Sequence, residues 1–586
     1  MNRFVRVLLG LILVPVLPLL GQQSFYTGTN VTGQLVLART VNPIQQALKL
    51  RLLGGAYATR ELPKAPYKRL RPALQVGRTA APAMAGALAM PVMQSLPVTF
   101  APGIFGFNAL SHLDQRLANG GNQFSVEPPN QSVAVGNGFV LEGVNNAIQV
   151  YNASGAPLLA APLSSNELFG VPAAINRTLD TYGVFPTDMR VFFDQTINRW
   201  FVLQRAQDFD IFGNPLNSSR IYMAVSQTGN PTGIYNLYEM NTTNAQRPGC
   251  PCVSDYPQIG ADQYGFHISV NEFNTFSEQF VGAAILAVSK ASLAVGASNP
   301  TMFRFQLPFT TGYEFAIQPA TTPPGAGFFL ANGGMEYFVS SIATFSSDSK
   351  LSVWAMYNTA TLGSANPAPI LTRITVPSMN YVYPDVATQR PGPLPYGSTL
   401  IPPGALAYLD GGDMRILSLS YAGGRLYTTL ATQVTDESGR RLVGGAYVIL
   451  SPAFRAGVLA AQVLRQGYVM ARNNHVLRPA VAVNPQGRGA VAFTLVGPDY
   501  YPSAAFVPIN LSSTGPAIQI AGSGALPQDG FTGYPGGFAA GVARWGDYST
   551  AVAASDGSIW MVGQYIPNAP RTEFANWGTF LWRYAP

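Results

Sequence analysis

Of 586 residues only three are His and two are Cys. A histidine-rich or thiolate metal centre needs about four N or S ligands and is disfavoured. No HExxH, Walker loop, GxSxG or catalytic Cys/His signature occurs. Charge is scarce as well. Asp, Glu, Lys and Arg make up 11% of the chain, against about a quarter in ordinary globular proteins. Long salt-bridged helices are therefore not expected. The uncharged run from Val7 to Leu20 follows Arg3 and Arg6. It has the shape of a secretory signal and is too short and Pro-broken for a good membrane span. Residues 1–21 are assigned as signal peptide, with the cut near Gly21; an uncleaved anchor is the alternative. No Cys lies nearby to carry a bacterial lipid anchor.

The net charge of +7 is unevenly distributed. Residues 1–100 hold 11 Lys/Arg and one acid, Glu61, whereas the remainder holds 24 Lys/Arg and 27 Asp/Glu. The main domain is thus slightly acidic, and nucleic acid is excluded as its expected partner. Residues 22–78 form a basic arm with one short helix expected in "NPIQQALKLRLL". This arm suits contact with an anionic cell surface, or is simply solvated. Residues 79–110 are uncharged and rich in Ala, Pro and Met, as a linker would be. The domain proper is placed at 111–586.

Gly (59) and Pro (47) are plentiful, and so are Phe (33) and Tyr (27). Turns and strands should dominate. A strand–turn–strand unit recurs as "SVAVGNGFVLEGV", "MRVFFDQTINRWFVLQ", "PQIGADQYGFHISV", "EFAIQPATTPPGAGFFLA", "MRILSLSYAGGRLYTTLA", "PAVAVNPQGRGAVAFTLV" and "STAVAASDGSIWMVGQY". The last turn residues are Gly138, Arg199, Gly265, Gly327, Arg425, Gly489 and Ser558, at a mean spacing of 70. Seven such units, each with room for two further strands, predict a seven-bladed, all-β propeller. The chain after Ser558 supplies only two more strands. A strand from about 98–127 is expected to complete the last blade and close the ring.

About eleven residues before each turn stands a polar anchor. It is Asp188, Asp255, Glu314, Asp413 and Asp547 in five units and Arg478 in the sixth, with Asn130 or Gln131 in the first. In a propeller these positions open the innermost strands at the mouth of the central channel. Each carboxylate could pin a loop by accepting amide hydrogen bonds, or several could converge on the mouth. Convergence requires counter-charge. Arg190, Arg415, Arg478 and Arg544 lie close by, and a Ca²⁺ would serve as well. Tyr256, Trp545 and Tyr548 stand at the same level. The ligand-binding set is therefore Asp188, Arg190, Asp255, Tyr256, Glu314, Asp413, Arg478, Arg544, Trp545, Asp547 and Tyr548. The candidate catalytic carboxylates are Asp255 with Asp547, or Asp188 with Asp255. Cys250 and Cys252 could bridge locally or stay free.

The stretches "SDYPQIGADQYGFHISVNEF", "AVSQTGNPTGIYNLY", "RWGDYSTAVA" and "ANWGTFLW", in that setting, resemble a family of uncharacterised secreted bacterial β-propeller-like proteins. The resemblance covers about residues 125–586 and implies export and a propeller, not a reaction. "SDGSIW" bears a more distant likeness to the Asp-box of sialidase-type propellers, and no catalytic residue follows from it. Three functions are compatible with these features. The first is an exported or cell-surface module binding an extracellular glycan or protein on its channel face. The second is a glycoside hydrolase or lyase acting on extracellular polysaccharide. The third is a structural envelope protein. The enzyme requires two nearby carboxylates, one with a raised pKa; the binding module requires aromatics spread across the face.

Overall fold

The computed structural model describes residues 23–53, 88–124, 126, 128–344, 346–392, 408–528, 542–569 and 577–586. The signal segment 1–21 lies outside the described residues. Within them the protein is all-β, with a few short helices.

Seven sheets of four or five strands follow one another along the chain. Their first strands are Ser132–Gly136, Val184–Asp194, Cys252–Ala261, Gln318–Pro319, Ile416–Ala422, His475–Val483 and Thr550–Ala553. These strands touch in chain order, and the seventh also meets the first. Six of them, all but Gln318–Pro319, line an axial cavity of about 320 Å³, to which Val135, Phe193, Ala261, Ser420, Ala482 and Val552 contribute.

The scarcity of charge follows from packing on both faces. In Arg199–Phe209 of the second sheet, Phe201 and Leu203 join the core facing the third sheet. Trp200 and Val202 join the core facing the first. Phe201 stacks on Phe266 with centroids 4.4 Å apart. A strand with two buried faces reads as a nearly continuous apolar run, and each large side chain so buried contributes about 1.5–3 kcal/mol.

The N-terminal segment runs along the outer edges of these sheets. Ser24–Tyr26, Gly28–Asn30 and Leu35–Val41 add antiparallel fifth strands to the fourth, third and second sheets. The short helix expected in the arm is Pro43–Leu53; Asn42 Oδ1 accepts from the Gln45 amide at its start, and its Ala47 packs in the core of the first and second sheets. Val98–Phe100 adds a parallel strand to the sixth sheet. Phe105–Ser111 pairs antiparallel with Gly578–Tyr584 and is the fourth strand of the seventh sheet. This is the strand that 98–127 was expected to supply.

One unit departs from the expected repeat. The fourth hairpin was expected to re-enter at Gly327. Its second strand is instead Met335–Ser340. "TTPPGAG" cannot continue a ladder, because Pro323 and Pro324 lack the N–H that a strand donates. The chain loops over the axial cavity before pairing resumes.

Glu142, on the second strand of the first sheet, clamps the junction with the seventh. It accepts from the Leu110 amide (3.0 Å), the Tyr151 hydroxyl (3.0 Å) and the Thr579 hydroxyl (2.5 Å). Burial nevertheless pushes its carboxyl up to about 7 from an ordinary 4.5. The folded protein thus keeps a proton that the unfolded chain releases, so this group's contribution falls as pH rises from about 4.5 to about 7. Its size is on the order of 3 kcal/mol. Glu142→Gln copies the protonated acid. We expect chemical denaturation between about pH 5 and about pH 7.5 to show a larger loss of stability in wild type than in Glu142→Gln.

Candidate functional site

The first strands share a local device at the end remote from the axial cavity. Their pairing with the second strands slips between Thr187 and Arg190, between Asp255 and Gln258, and between Leu477 and Ala480. At the slip Asp188, Tyr256 and Arg478 take left-handed backbone conformations (φ 56°, 52° and 55°), as Asn130 and Ala316 do in the first and fourth units. Asn and Asp tolerate that region; for Tyr and Arg it is strained and held by the surrounding fold. Such a bulge breaks the regular alternation of side chains between the two sheet interfaces.

Three carboxylates converge there. Arg205, from the second strand of the second sheet, places Nε 2.9 Å from Asp188 Oδ2 and 3.2 Å from Asp255 Oδ1. Asn130 Nδ2 donates to Asp188 Oδ1 (2.9 Å) and to Asp547 Oδ2 (2.7 Å). Asn130 Oδ1 accepts the Asp547 amide at 2.9 Å. Asp188 therefore lies within about 6 Å of both other carboxylates, the range in which a carboxyl pair can work on one bond. The side chains of Asp255 and Asp547 are 21% and 22% exposed, that of Asp188 only 10%. Solvent reaches the first two.

The counter-charges are arginines. Arg544 pairs with Asp547. Arg415 grips Asp413 with Nε and Nη2 (2.6–2.9 Å) and lies 4.3 Å from the Tyr256 ring centroid. Arg190 stacks on Tyr548 at 3.3 Å and donates to Gln258 Oε1 at 2.5 Å. Arg478 donates to the Gly546 and Trp545 carbonyls and to Asp410 Oδ2 (2.5, 2.7 and 3.2 Å). Among the described residues no group of three His, Cys, Asp or Glu is arranged to hold a metal ion.

These surroundings drive two carboxyls apart. Burial, helped by Asp188 and Asp547 against Arg205 and Arg415, pushes Asp255 up to about 6. Burial also opposes ionisation of Asp547, but Arg544, Arg415, Arg478 and the Asn130 hydrogen bond hold it down at about 2. Between about pH 2 and about pH 6 a carboxylic acid and a carboxylate thus share one opening.

Not every expected residue joins them. Glu314 accepts from the amides and hydroxyls of Thr310 and Thr311 (2.7–3.2 Å) and is fully buried. It pins its loop instead of facing the opening. Trp545, Tyr256 and Tyr548 are 1%, 3% and 0% exposed. Tyr256 and Tyr548 meet edge-on with centroids 5.8 Å apart, although they come from the third and seventh units, and Trp545 lies in a separate apolar core; none fans across a face. Asp556 of "SDGSIW" accepts from the Ser558 amide (2.9 Å) and hydroxyl (2.6 Å), pinning the turn between the first two strands of its sheet. Cys250 and Cys252 are joined in a disulfide. Asn130 and Arg205 tie the site together, yet neither stood in the expected set. Arg205 is visible in sequence only as a charge inside the strand "RWFVLQRAQDF".

No family model matches the chain, and no curated protein does. Similar solved structures include the phage phi92 endosialidase (10% identity, 84% of this chain and 68% of that one, TM-score 0.31). Trypanosoma rangeli sialidase (8%, 67% and 53%, 0.30) and an exo-β-1,3-galactanase from Clostridium thermocellum (9%, 79% and 94%, 0.27) are others. Likenesses this weak leave the functional reading to the site itself. Among the described residues no helix is long and apolar enough to cross a membrane.

Glu314→Ala removes the acceptor for four donors. We expect a stability loss of about 1–3 kcal/mol in thermal denaturation, with the titration of Asp255 unchanged in carboxyl NMR.

Proposed function

We propose that the chain is an exported seven-bladed β-propeller that hydrolyses glycosidic bonds of an extracellular polysaccharide at its axial opening. The blade count is supported by seven successive sheets whose first strands touch in cyclic order. Export rests on the N-terminal sequence, as does any contact of the basic segment with a cell surface.

The observation that carries the activity is the pair Asp255 and Asp547. Both are reachable, one is pushed up to about 6 and the other held at about 2. A general acid must hold its proton at the working pH, which for Asp255 means below about 6, and its partner must not. Asp255 donates its proton to the glycosidic oxygen as the C–O bond breaks, and the leaving sugar departs as an alcohol. The Asp547 carboxylate stabilises the positive charge that develops on the anomeric carbon. A water forms the new C–O bond and returns a proton to Asp255. Arg415 and Arg544, each about a fifth exposed, offer donors to sugar oxygens. The binding-only alternative finds less support, since Tyr256, Trp545 and Tyr548 are buried.

The test is release of reducing ends from a panel of neutral, amino and acidic polysaccharides by the full chain. We expect cleavage of at least one polymer, with kcat lowered about 10²-fold or more in Asp255→Asn and in Asp547→Asn. The rate should fall as pH rises through about 6, where Asp255 loses its proton. A panel left uncut, or two variants as fast as wild type, would sink this function.

A further inference from the structure

We propose that Asp188 is a positioning residue that ties the acid Asp255 to the carboxylate Asp547 through two shared donors, Arg205 Nε and Asn130 Nδ2. This inference rests on the roles given above to Asp255 and Asp547.

Asp188 looks at first like a third catalytic carboxylate. Its contacts argue otherwise. Oδ2 accepts from Arg205 and Oδ1 from Asn130, both at 2.9 Å. Asp255 and Asp547 each have one oxygen, Oδ2 and Oδ1 respectively, with no such contact among the described residues. Asp188 therefore has both oxygens engaged, and its side chain is half as exposed as the other two. Its backbone is fixed as well: it sits in the left-handed region, and its amide donates to Asn145 Oδ1 at 3.1 Å, an atom that also accepts from the Thr187 hydroxyl at 2.8 Å.

The two donors that Asp188 holds are the ones that touch its neighbours. Arg205 reaches from the second sheet to Asp255 in the third. Asn130, ahead of the first sheet, reaches Asp547, ahead of the seventh. One buried carboxylate thus spans four consecutive sectors of the ring. Among the described residues the buried Arg205 Nη1 has no hydrogen-bond partner, and Nε makes the contacts to both carboxylates. Without Asp188, Arg205 has only Asp255 to serve, and Asp255 loses a like-charged neighbour. Both changes favour its ionised form. The charged groups bearing on Asp255 are Arg205, Asp188, Asp547 and Arg415, and Asp188→Asn alters the balance among them.

The experiment follows carboxyl ¹³C titrations of Asp255 and Asp547 together with the pH dependence of kcat. In Asp188→Asn we expect the Asp255 titration to fall by about one unit or more. The alkaline limb of kcat should move down with it, while KM changes little. In Asn130→Ser, which leaves Asp188 and Arg205 in place, Asp547 should titrate higher than in wild type and Asp255 should not move. Asp255 titrating near 6 in both wild type and Asp188→Asn overturns the positioning role while leaving the proposed hydrolysis intact. If Asp188→Asn does not fold, an unmoved Asp547 in Asn130→Ser overturns the tie. An ordinary Asp255 titration in wild type overturns both this role and the acid assigned above.

Discussion

A sheet that is apolar on both faces has nowhere to end in water, and this constraint governs the whole protein. Each sheet covers its neighbours, so the row of sheets finds a stable arrangement only by meeting its own beginning. The meeting point is made by Phe105–Ser111, which completes the last sheet, and by Glu142, which holds that strand and Thr579 against the first sheet. The outer edges are treated in the same spirit. Residues 24–41 hydrogen-bond to three exposed outer strands that would otherwise present unpaired amides.

Cyclic packing brings the first strands together, and the bulges set what the opening contains. A regular strand would alternate its side chains between the two sheet interfaces. The left-handed residue at Asp188, Tyr256 and Arg478 breaks that alternation and admits polar groups to a place built from apolar surroundings. Burial there is costly for charge, and the arginines and Asn130 offset it unequally. Asp547, gripped by Arg544 and Asn130, stays ionised down to about pH 2, whereas Asp255 shares Arg205 with Asp188 and takes up a proton at about 6. The gap between the two titrations thus comes from the number of donors each carboxylate receives, with burial common to both.

The strand units were legible because period and turn chemistry are local. "SDGSIW", "NPQGRG" and "DQTINR" announce their turns through Asp or Asn side chains that cap the following amides, as Asp556, Asn484 and Asp194 do. "TTPPGAG" misled because a Gly-rich turn and a Pro-rich loop share composition. Asp188, Asp255 and Asp547 could be picked out by position, since each precedes its turn by a similar distance. That Glu314, in an equivalent slot, would turn back onto Thr310 and Thr311 was not legible: the choice depends on two hydroxyl residues in the preceding loop. Arg205 escaped notice because it acts across a sheet boundary, and Asn130, though visible as the anchor of the first unit, gave no sign of its contact with Asp547 across the sequence distance between them.

The closing strand and its partner lie some 470 residues apart in the chain. During synthesis the N-terminal portion emerges first, yet its strands have no ladder to join until the sheets they border exist. Phe105–Ser111 must wait for the final residues of all. Contacts of such sequence separation make folding slow, and the open intermediate displays a bare apolar face at each end of the row. Until the last strand forms, the row of sheets stays open, and the carboxylates contributed by the first strands reach their final arrangement only when the two ends of the chain have paired.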